Sequence, residues 1–131
     1  MKVLDASFLI DYLNGERSTE EFYAAEGGRD ERWVMPVPAY AEALVGVGNL
    51  PDADVTEAIE KLAWGDVYDV DKQSAIAAAE ITDEIGPEGP YLDGMDALIA
   101  AVSRELDAPV VSVDGDFTHP ETKRVIDVEE Y

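Results

Sequence analysis

Short apolar runs alternate with helical segments along the whole chain, and this alternation restricts the possible folds more than any other feature. The run 109–113 is nearly continuous in β-branched residues, as expected for a buried strand of a parallel sheet. Strands that alternate with helices form α/β folds joined by right-handed crossovers. We therefore predict an α/β fold with a central, mainly parallel sheet, with strands at 2–5, 33–35, 67–70, 109–113 and 125–128.

Capping residues and helical spacing predict where the intervening helices lie. Ser7 precedes the apolar residues of the first helix and is predicted to cap it, whereas Pro38 suits the first turn of another. The most apolar helix begins at Asp93 or Gly94. The other predicted helices span 18–26, 54–64 and a segment from 71 or 74 to 85. With 131 residues and no linker-like segment, residues 1–131 are predicted to form one domain.

The chain is strongly acidic. Nine Lys and Arg residues against 30 Asp and Glu residues give a formal net charge of −21, without any block of like charge. Such a charge destabilises a compact state in dilute buffer, but it is screened at roughly 1 M salt, where the Debye length is about 3 Å. We therefore favour a halophilic origin over a merely acidic mesophilic one. The charge also argues against simple electrostatic binding of nucleic acid.

Several kinds of protein are excluded by what the sequence lacks. Without cysteine, thiol nucleophiles and cysteine zinc sites are ruled out. The longest apolar run, 97–102, is far shorter than the roughly 18 residues of a membrane span. The first five residues reach a carboxylate too early for a signal peptide. We expect a soluble cytoplasmic protein that does not enter a membrane.

Six acidic residues lie at predicted strand ends or near predicted helix starts. Ligands of open parallel sheets bind outside the carboxyl ends of the strands, so these side chains are expected to converge there. Clustered carboxylates raise one another's pKa, and the scarce basic residues offer few partners. A divalent cation would relieve the repulsion, and all-oxygen ligands select Mg²⁺ or Mn²⁺. The candidate residues are Asp5, Glu42, Asp93, Asp96, Asp114 and Asp116.

Each of these acids also has an ordinary structural explanation. Asp5 could cap a helix, although Ser7 already fits that role, and Glu42 could lie on a solvated helix face. Asp93 and Asp96 could complement a helix dipole, and the segment 114–116 could be a plain turn. The combined placement of the acids, rather than any single one, favours a metal site.

Four segments of the sequence occur in a recognisable order. Residues 3–11 read VLDASFLID, an apolar strand and an acid followed by an apolar helix, and residues 39–44 read AYAEAL, a helix with one glutamate. Residues 96–101 read DALIAA, and residues 111–117 read VSVDGDF, a hydroxyl residue followed by two acids and a phenylalanine. These segments resemble the four motifs of PIN-domain ribonucleases, especially VapC-type toxins, across nearly the full chain.

The resemblance implies a three-layer α/β/α fold and Mg²⁺- or Mn²⁺-dependent cleavage of RNA. It implies an acidic catalytic pocket formed by Asp5, Glu42, Asp96 and Asp114. It also implies Asp116 as a further metal ligand and Ser7, Ser112 and Asp93 as supporting residues. Ala6 and Ser7 depart from the family, in which Thr or Ser and then Asn are common. Ser7 would still be able to bond a ligand carboxylate.

The resemblance further implies a homodimer and a small antitoxin partner that covers the acidic pocket, often with an arginine. Two alternatives remain open: an RNA-processing nuclease without an antitoxin, and a non-catalytic PIN-fold binding or assembly module. Arg17, Arg29 and Arg32 could contact RNA phosphates, or they could simply offset nearby acids at the surface. His119, the only histidine, is expected to be a surface residue rather than a base.

Overall fold

A five-stranded, all-parallel sheet with the strand order β3-β2-β1-β4-β5 forms the centre of the computed structural model, which describes residues 1–131. The predicted α/β fold with a parallel sheet is therefore confirmed. The strands are β1 (Lys2–Leu4), β2 (Trp33–Pro36), β3 (Asp66–Tyr68), β4 (Val110–Val111) and β5 (Val128–Glu129).

Eight helices connect these strands or follow them. None is long and apolar enough to cross a lipid bilayer. A short 3₁₀ turn, Gly28–Asp30, precedes β2. The helices are α1 (Ala6–Leu13), α2 (Arg17–Ala25), α3 (Val37–Gly48), α4 (Val55–Lys61), α5 (Lys72–Ile85), α6 (Gly94–Leu106), α7 (Gly115–Thr118) and α8 (Pro120–Lys123).

The burial of the strands shows that helices cover both faces of the sheet. All four residues of β2 and both residues of β4 are buried. Because successive side chains of a strand point to opposite faces, consecutive buried residues require a layer on each side. The fold thus has the three α/β/α layers that the family resemblance implied.

Several strand boundaries differ from the prediction. The strand predicted at 109–113 is only Val110–Val111, because the neighbouring β1 ends at Leu4 and the exposed Val113 has left the sheet. The strand predicted at 125–128 begins later, because the amides of Val125 and Ile126 bond back to the carbonyl of Thr122 in a turn. The short helices α7 and α8 were not predicted.

The order of the strands creates a crevice between β1 and β4. The chain passes from β1 to β2 and β3 on one side, and β4 and β5 then extend the sheet on the other side. The connections on the two sides of β1 therefore leave in opposite directions, and such a switch point is where open parallel sheets bind ligands. Asp5 follows β1 directly, and Ser112 follows β4 directly, so both lie at this crevice.

Truncation of Leu4 should test the packing beneath the crevice. Leu4 is fully buried at the end of β1. We expect Leu4→Ala to lower the free energy of unfolding by about 2–5 kcal/mol, because it leaves a cavity in the core. Leu50→Ala is the matched control, since Leu50 is 60% exposed. It should change the free energy of unfolding by no more than about 0.5 kcal/mol. Urea unfolding monitored by circular dichroism measures both, and equal effects would contradict this account of the core.

Candidate functional site

Asp5 is the most enclosed acid at the crevice. Its side chain is 3% exposed. One carboxylate oxygen accepts hydrogen bonds from the Ser7 hydroxyl at 2.6 Å and the Phe8 amide at 3.1 Å. The other accepts a hydrogen bond from the Ser112 hydroxyl. Burial raises the pKa of Asp5, and the three donors oppose this shift by stabilising the ionised form.

The prediction that Ser7 caps α1 is wrong, because Asp5 holds the cap position. Asp5 has extended backbone angles and accepts from the Phe8 amide, as an N-cap residue does. Ser7 lies in the first helical turn and instead donates its hydroxyl proton to Asp5. A carboxylate has about four lone-pair directions, so capping leaves Asp5 able to accept further bonds. The structural explanation and the functional one are therefore compatible for this residue.

The segment after β4 brings the next group of predicted residues to the same place. Ser112 is fully buried, and its hydroxyl oxygen accepts a hydrogen bond from the Asp114 amide at 3.0 Å. Asp114 caps α7, because its carboxylate accepts from the Asp116 amide at 2.8 Å. The segment 114–116, for which a plain turn was the alternative explanation, is thus the start of a short helix. Both aspartates are half-buried.

The start of α6 presents two further acids. Asp93 caps the helix and accepts a hydrogen bond from the Asp96 amide at 2.8 Å. The predicted start of this helix at Asp93 or Gly94 is therefore confirmed. Asp96 lies in the first helical turn and is half-buried.

The pKa of Asp96 responds to the charges of four other acids. Its pKa rises from 3.8 to about 7, chiefly through burial and then through the negative charges of other acids. Those charges belong to Asp93, Asp114, Asp5 and Glu42, in decreasing order of effect. Glu42 is an exposed residue of α3. The acids that act most strongly on Asp96 therefore come from α3 and from the capping positions of α1, α6 and α7.

The acid cluster, defined here as Asp5, Glu42, Asp93, Asp96 and Asp114, has no basic counterpart. None of its members forms an ion pair with a lysine, an arginine or the amino terminus. In this structure no group of three or more acidic or histidine side chains is placed so that it could hold a metal ion. The donor chemistry nevertheless fits a hard cation, because the cluster consists of carboxylates whose repulsion a positive charge would relieve.

Two of the three basic residues considered for RNA contact form ion pairs with acids. Arg17 pairs with Glu21 at 2.8 Å and Arg32 pairs with Asp66 at 3.1 Å, which agrees with the simpler view that they offset nearby acids. Arg32 directly precedes β2, so it lies at the amino ends of the strands. Arg29 makes no ion pair and lines a cavity of about 330 Å³ with three aromatic residues and Glu20.

Two residues that were not selected from the sequence, Asp11 and Tyr131, are connected to Ser7 through the Tyr131 hydroxyl. The Tyr131 hydroxyl is 2.7 Å from the Asp11 carboxylate and 3.3 Å from the Ser7 hydroxyl. Asp11 lies four residues after Ser7, so helical spacing would have placed the two on one face of α1. No local signal connects Tyr131 to α1, because only the folded sheet brings the last residue of the sequence there. His119, the expected surface residue, caps α8 through its Nδ1 atom.

Comparison with known protein families gives one match. A family model described as "PIN domain" matches residues 2–123. The match includes β1 through α8 and therefore contains every residue of the acid cluster. The comparison with curated proteins found no match.

Several solved structures share the fold at low sequence identity. The VapBC2 complex of Rickettsia felis, bound to a promoter DNA fragment, is similar with a TM-score of 0.78, 17% identity and coverage of 99% of this chain and 98% of the other. DNA-bound VapBC of Salmonella typhimurium is similar with a TM-score of 0.76 and 19% identity. The match covers 98% of this chain and 96% of the other. A toxin–antitoxin complex of Klebsiella pneumoniae is similar with a TM-score of 0.74 and 17% identity. The match covers 92% of this chain and 94% of the other.

Neutralising Asp96 should stabilise the metal-free protein in a pH-dependent manner. Because the pKa of Asp96 is about 7 in the folded protein and near 3.8 when unfolded, folding takes up a proton between these pH values. The ionised carboxylate therefore destabilises the fold at pH 8, and the penalty disappears below pH 4. We expect Asp96→Asn in EDTA to raise the free energy of unfolding at pH 8 by about 1–2 kcal/mol. This is less than the full pKa shift implies, since solvent screens the half-exposed group.

Asp83→Asn provides the control, because Asp83 is an exposed aspartate of α5 outside the acid cluster. Urea unfolding at pH 8 and pH 4 compares both variants with the wild type. A stabilisation of Asp96→Asn that was the same at both pH values would contradict the electrostatic explanation.

Proposed function

Because the chain belongs to the PIN-domain family, we propose that it is a single-domain, Mg²⁺- or Mn²⁺-dependent endoribonuclease that acts as the toxin of a type II toxin–antitoxin pair. The main support is the cluster of five acids from four segments, in which four acids act on the fifth, Asp96, and none has a basic partner. The chain has only nine basic residues, so the repulsion among these carboxylates would lower the stability of the fold unless the cluster bound a cation.

The proposed ligands of the cation are Asp5, Asp96 and Asp114, with Asp116 as a further ligand. Glu42 joins Asp5, Asp96 and Asp114 as a catalytic residue. Asp93 supports the site by capping α6, which fixes the turn that carries Asp96. Ser7 and Ser112 support it by bonding the two oxygens of Asp5. These roles follow the positions of the family's motifs, residue by residue.

Hydrolysis of RNA requires a water molecule to attack a phosphorus atom in line with the leaving oxygen. When bound, the cation would supply a Lewis acid that polarises the phosphate and lowers the pKa of a bound water. The protein contributes rigid placement of its carboxylates. Asp5 is held by three donors from α1 and the segment after β4, so little ordering is left to occur when substrate binds.

Basic side chains offer this protein little help in attracting RNA. Seven of its nine lysine and arginine side chains already pair with a carboxylate, and the two others are Arg29 and Lys72. Most of the positive charge that meets the phosphate would therefore come from cations at the acid cluster. This supports a role for the metal in binding the substrate as well as in cleaving it.

An antitoxin partner is supported by the similar solved structures, which include VapBC complexes and a toxin–antitoxin complex. The acid cluster would attract an arginine of such a partner, because a guanidinium and a carboxylate form a strong, two-bonded pair. We further propose that the protein is a cytoplasmic homodimer from a halophile. An RNA-processing nuclease without an antitoxin and a non-catalytic PIN-fold module are the alternative functions.

RNA cleavage in molar KCl with Mn²⁺ tests the proposed activity. We expect the wild type to cleave and EDTA to abolish cleavage. Asp96→Asn should lower the cleavage rate at least about 100-fold, because the loss of a residue that merely holds a metal ligand in place typically lowers activity about 10- to 100-fold. Asp83→Asn is the matched control and should cleave like the wild type. Fluorescently labelled RNA resolved on a denaturing gel measures the rates.

The possible results separate the candidate functions. Cleavage by Asp96→Asn at the wild-type rate would show that the assignment of Asp96 is wrong. Mn²⁺ binding by calorimetry without cleavage would favour a non-catalytic binding module. A cleaving protein that neither binds nor is inhibited by a candidate antitoxin peptide would favour an RNA-processing nuclease.

The dependence of stability on salt tests the proposed halophilic origin. We expect the thermal unfolding midpoint in EDTA to rise as KCl increases from 0.1 to 2 M, because screening weakens the repulsion among carboxylates. Differential scanning calorimetry in KCl measures the shift, with sucrose of matched osmolality as the control for general solute effects. A midpoint that is constant across this range of KCl would contradict the proposal.

A further inference from the structure

The end of the chain lies against the helix that follows Asp5. β5 is paired with β4, and the Lys2 ammonium bonds the Glu129 carboxylate at 2.6 Å. Just beyond β5, the Tyr131 ring packs edge-on against Phe8, with ring centroids 4.9 Å apart. Tyr131 is therefore held in place by the sheet on one side and by α1 on the other.

The hydroxyl of Tyr131 joins a chain of hydrogen bonds that leads to Asp5. Its single proton faces two acceptors, the Asp11 carboxylate at 2.7 Å and the Ser7 oxygen at 3.3 Å, and is shared between them, with the shorter bond going to Asp11. Ser7 donates its own proton to Asp5 at 2.6 Å. Because Ser7 has a single proton, its bond to Asp5 leaves only lone pairs to face Tyr131.

The phenol of Tyr131 stays protonated at any physiological pH. Burial raises its pKa, and the carboxylates of Asp11 and Asp5 raise it further, outweighing the effect of Ser7. Tyr131 is therefore always able to donate. Its partner Asp11 fixes the orientation of the hydroxyl beside Ser7.

We propose that Tyr131 is a positioning residue for the metal site, acting through Ser7 to hold the Asp5 carboxylate in its binding orientation. The proposal rests on the function proposed above, in which Asp5 is a ligand. Rotation of Ser7 away from Asp5 would break its bond to Asp5 and its contact with Tyr131 together. Tyr131 and Ser112 then support opposite oxygens of one carboxylate, one through Ser7 and the other directly.

Mn²⁺ binding by Tyr131→Phe tests the proposal. The substitution removes the hydroxyl and keeps the ring that packs on Phe8. We expect the dissociation constant for Mn²⁺, measured by calorimetry in molar KCl, to increase about 3- to 10-fold. Residues that bond a metal ligand directly typically change metal affinity about 10- to 100-fold. A smaller change is expected here, because Tyr131 reaches Asp5 only through Ser7. Tyr91→Phe is the matched control, since Tyr91 is 97% exposed, and should bind like the wild type.

The Ser7→Ala background distinguishes this role from a general structural one. If Tyr131 acts through Ser7, Tyr131→Phe should cause no further loss of Mn²⁺ affinity once Ser7 is replaced by alanine. Unfolding midpoints in EDTA accompany each variant, and those of the wild type and Tyr131→Phe should be similar. An unchanged Mn²⁺ affinity in Tyr131→Phe, or an equal loss in both backgrounds, would overturn the proposal.

The same variants separate this proposal from the proposed ribonuclease activity. If Mn²⁺ affinity changes as expected but the wild type cleaves no RNA, the positioning role stands and the ribonuclease function fails. If the wild type cleaves RNA with Mn²⁺ but Tyr131→Phe matches it in both affinity and rate, the ribonuclease function stands and the positioning role fails.

Discussion

The hydrogen bond from Ser112 to Asp5 joins the ends of the two central strands, and the proposed site depends on it. β1 and β4 are neighbours, with Leu4 beside Val111, so the next residues of both strands meet at the carboxyl edge of the sheet. The bond fixes Asp5 from one side, while α1 fixes it from the other through Phe8 and Ser7. The remaining acids are then brought to a carboxylate that is already held in place.

Much of this arrangement could be predicted from the sequence, because two strong signals agree. The apolar runs that alternate with helices specify a parallel sheet, and a parallel sheet gathers the residues that follow its strands. Asp5 and Asp114 were selected on that basis, and the pKa of Asp96 indicates that both lie near it. Glu42 was selected because it lies early in the helix that follows the second strand, and the second motif supports that choice although the residue is exposed.

Other features depend on contacts that a linear sequence does not reveal. Asp5 and Ser7 are both good capping residues, and only the fold decides that Asp5 caps α1 while Ser7 bonds its carboxylate. The short helix α7 begins at an Asp-Gly pair that equally predicts a turn. Tyr131 is separated from Ser7 by 124 positions, so only the folded chain, through the pairing of β5 and the packing on Phe8, places it beside α1.

The separation of Asp5 from Ser112 has a consequence for the synthesis of the protein. The two residues are 107 positions apart, and bringing such distant segments together is slow because a long loop must close first. On the ribosome, Asp5 and α1 emerge well before β4 exists. A nascent chain therefore carries an unfinished site during most of its translation. Under the proposed function, the site would therefore stay incomplete until the segment around Ser112 had been made, and a shorter nascent chain could not yet use it.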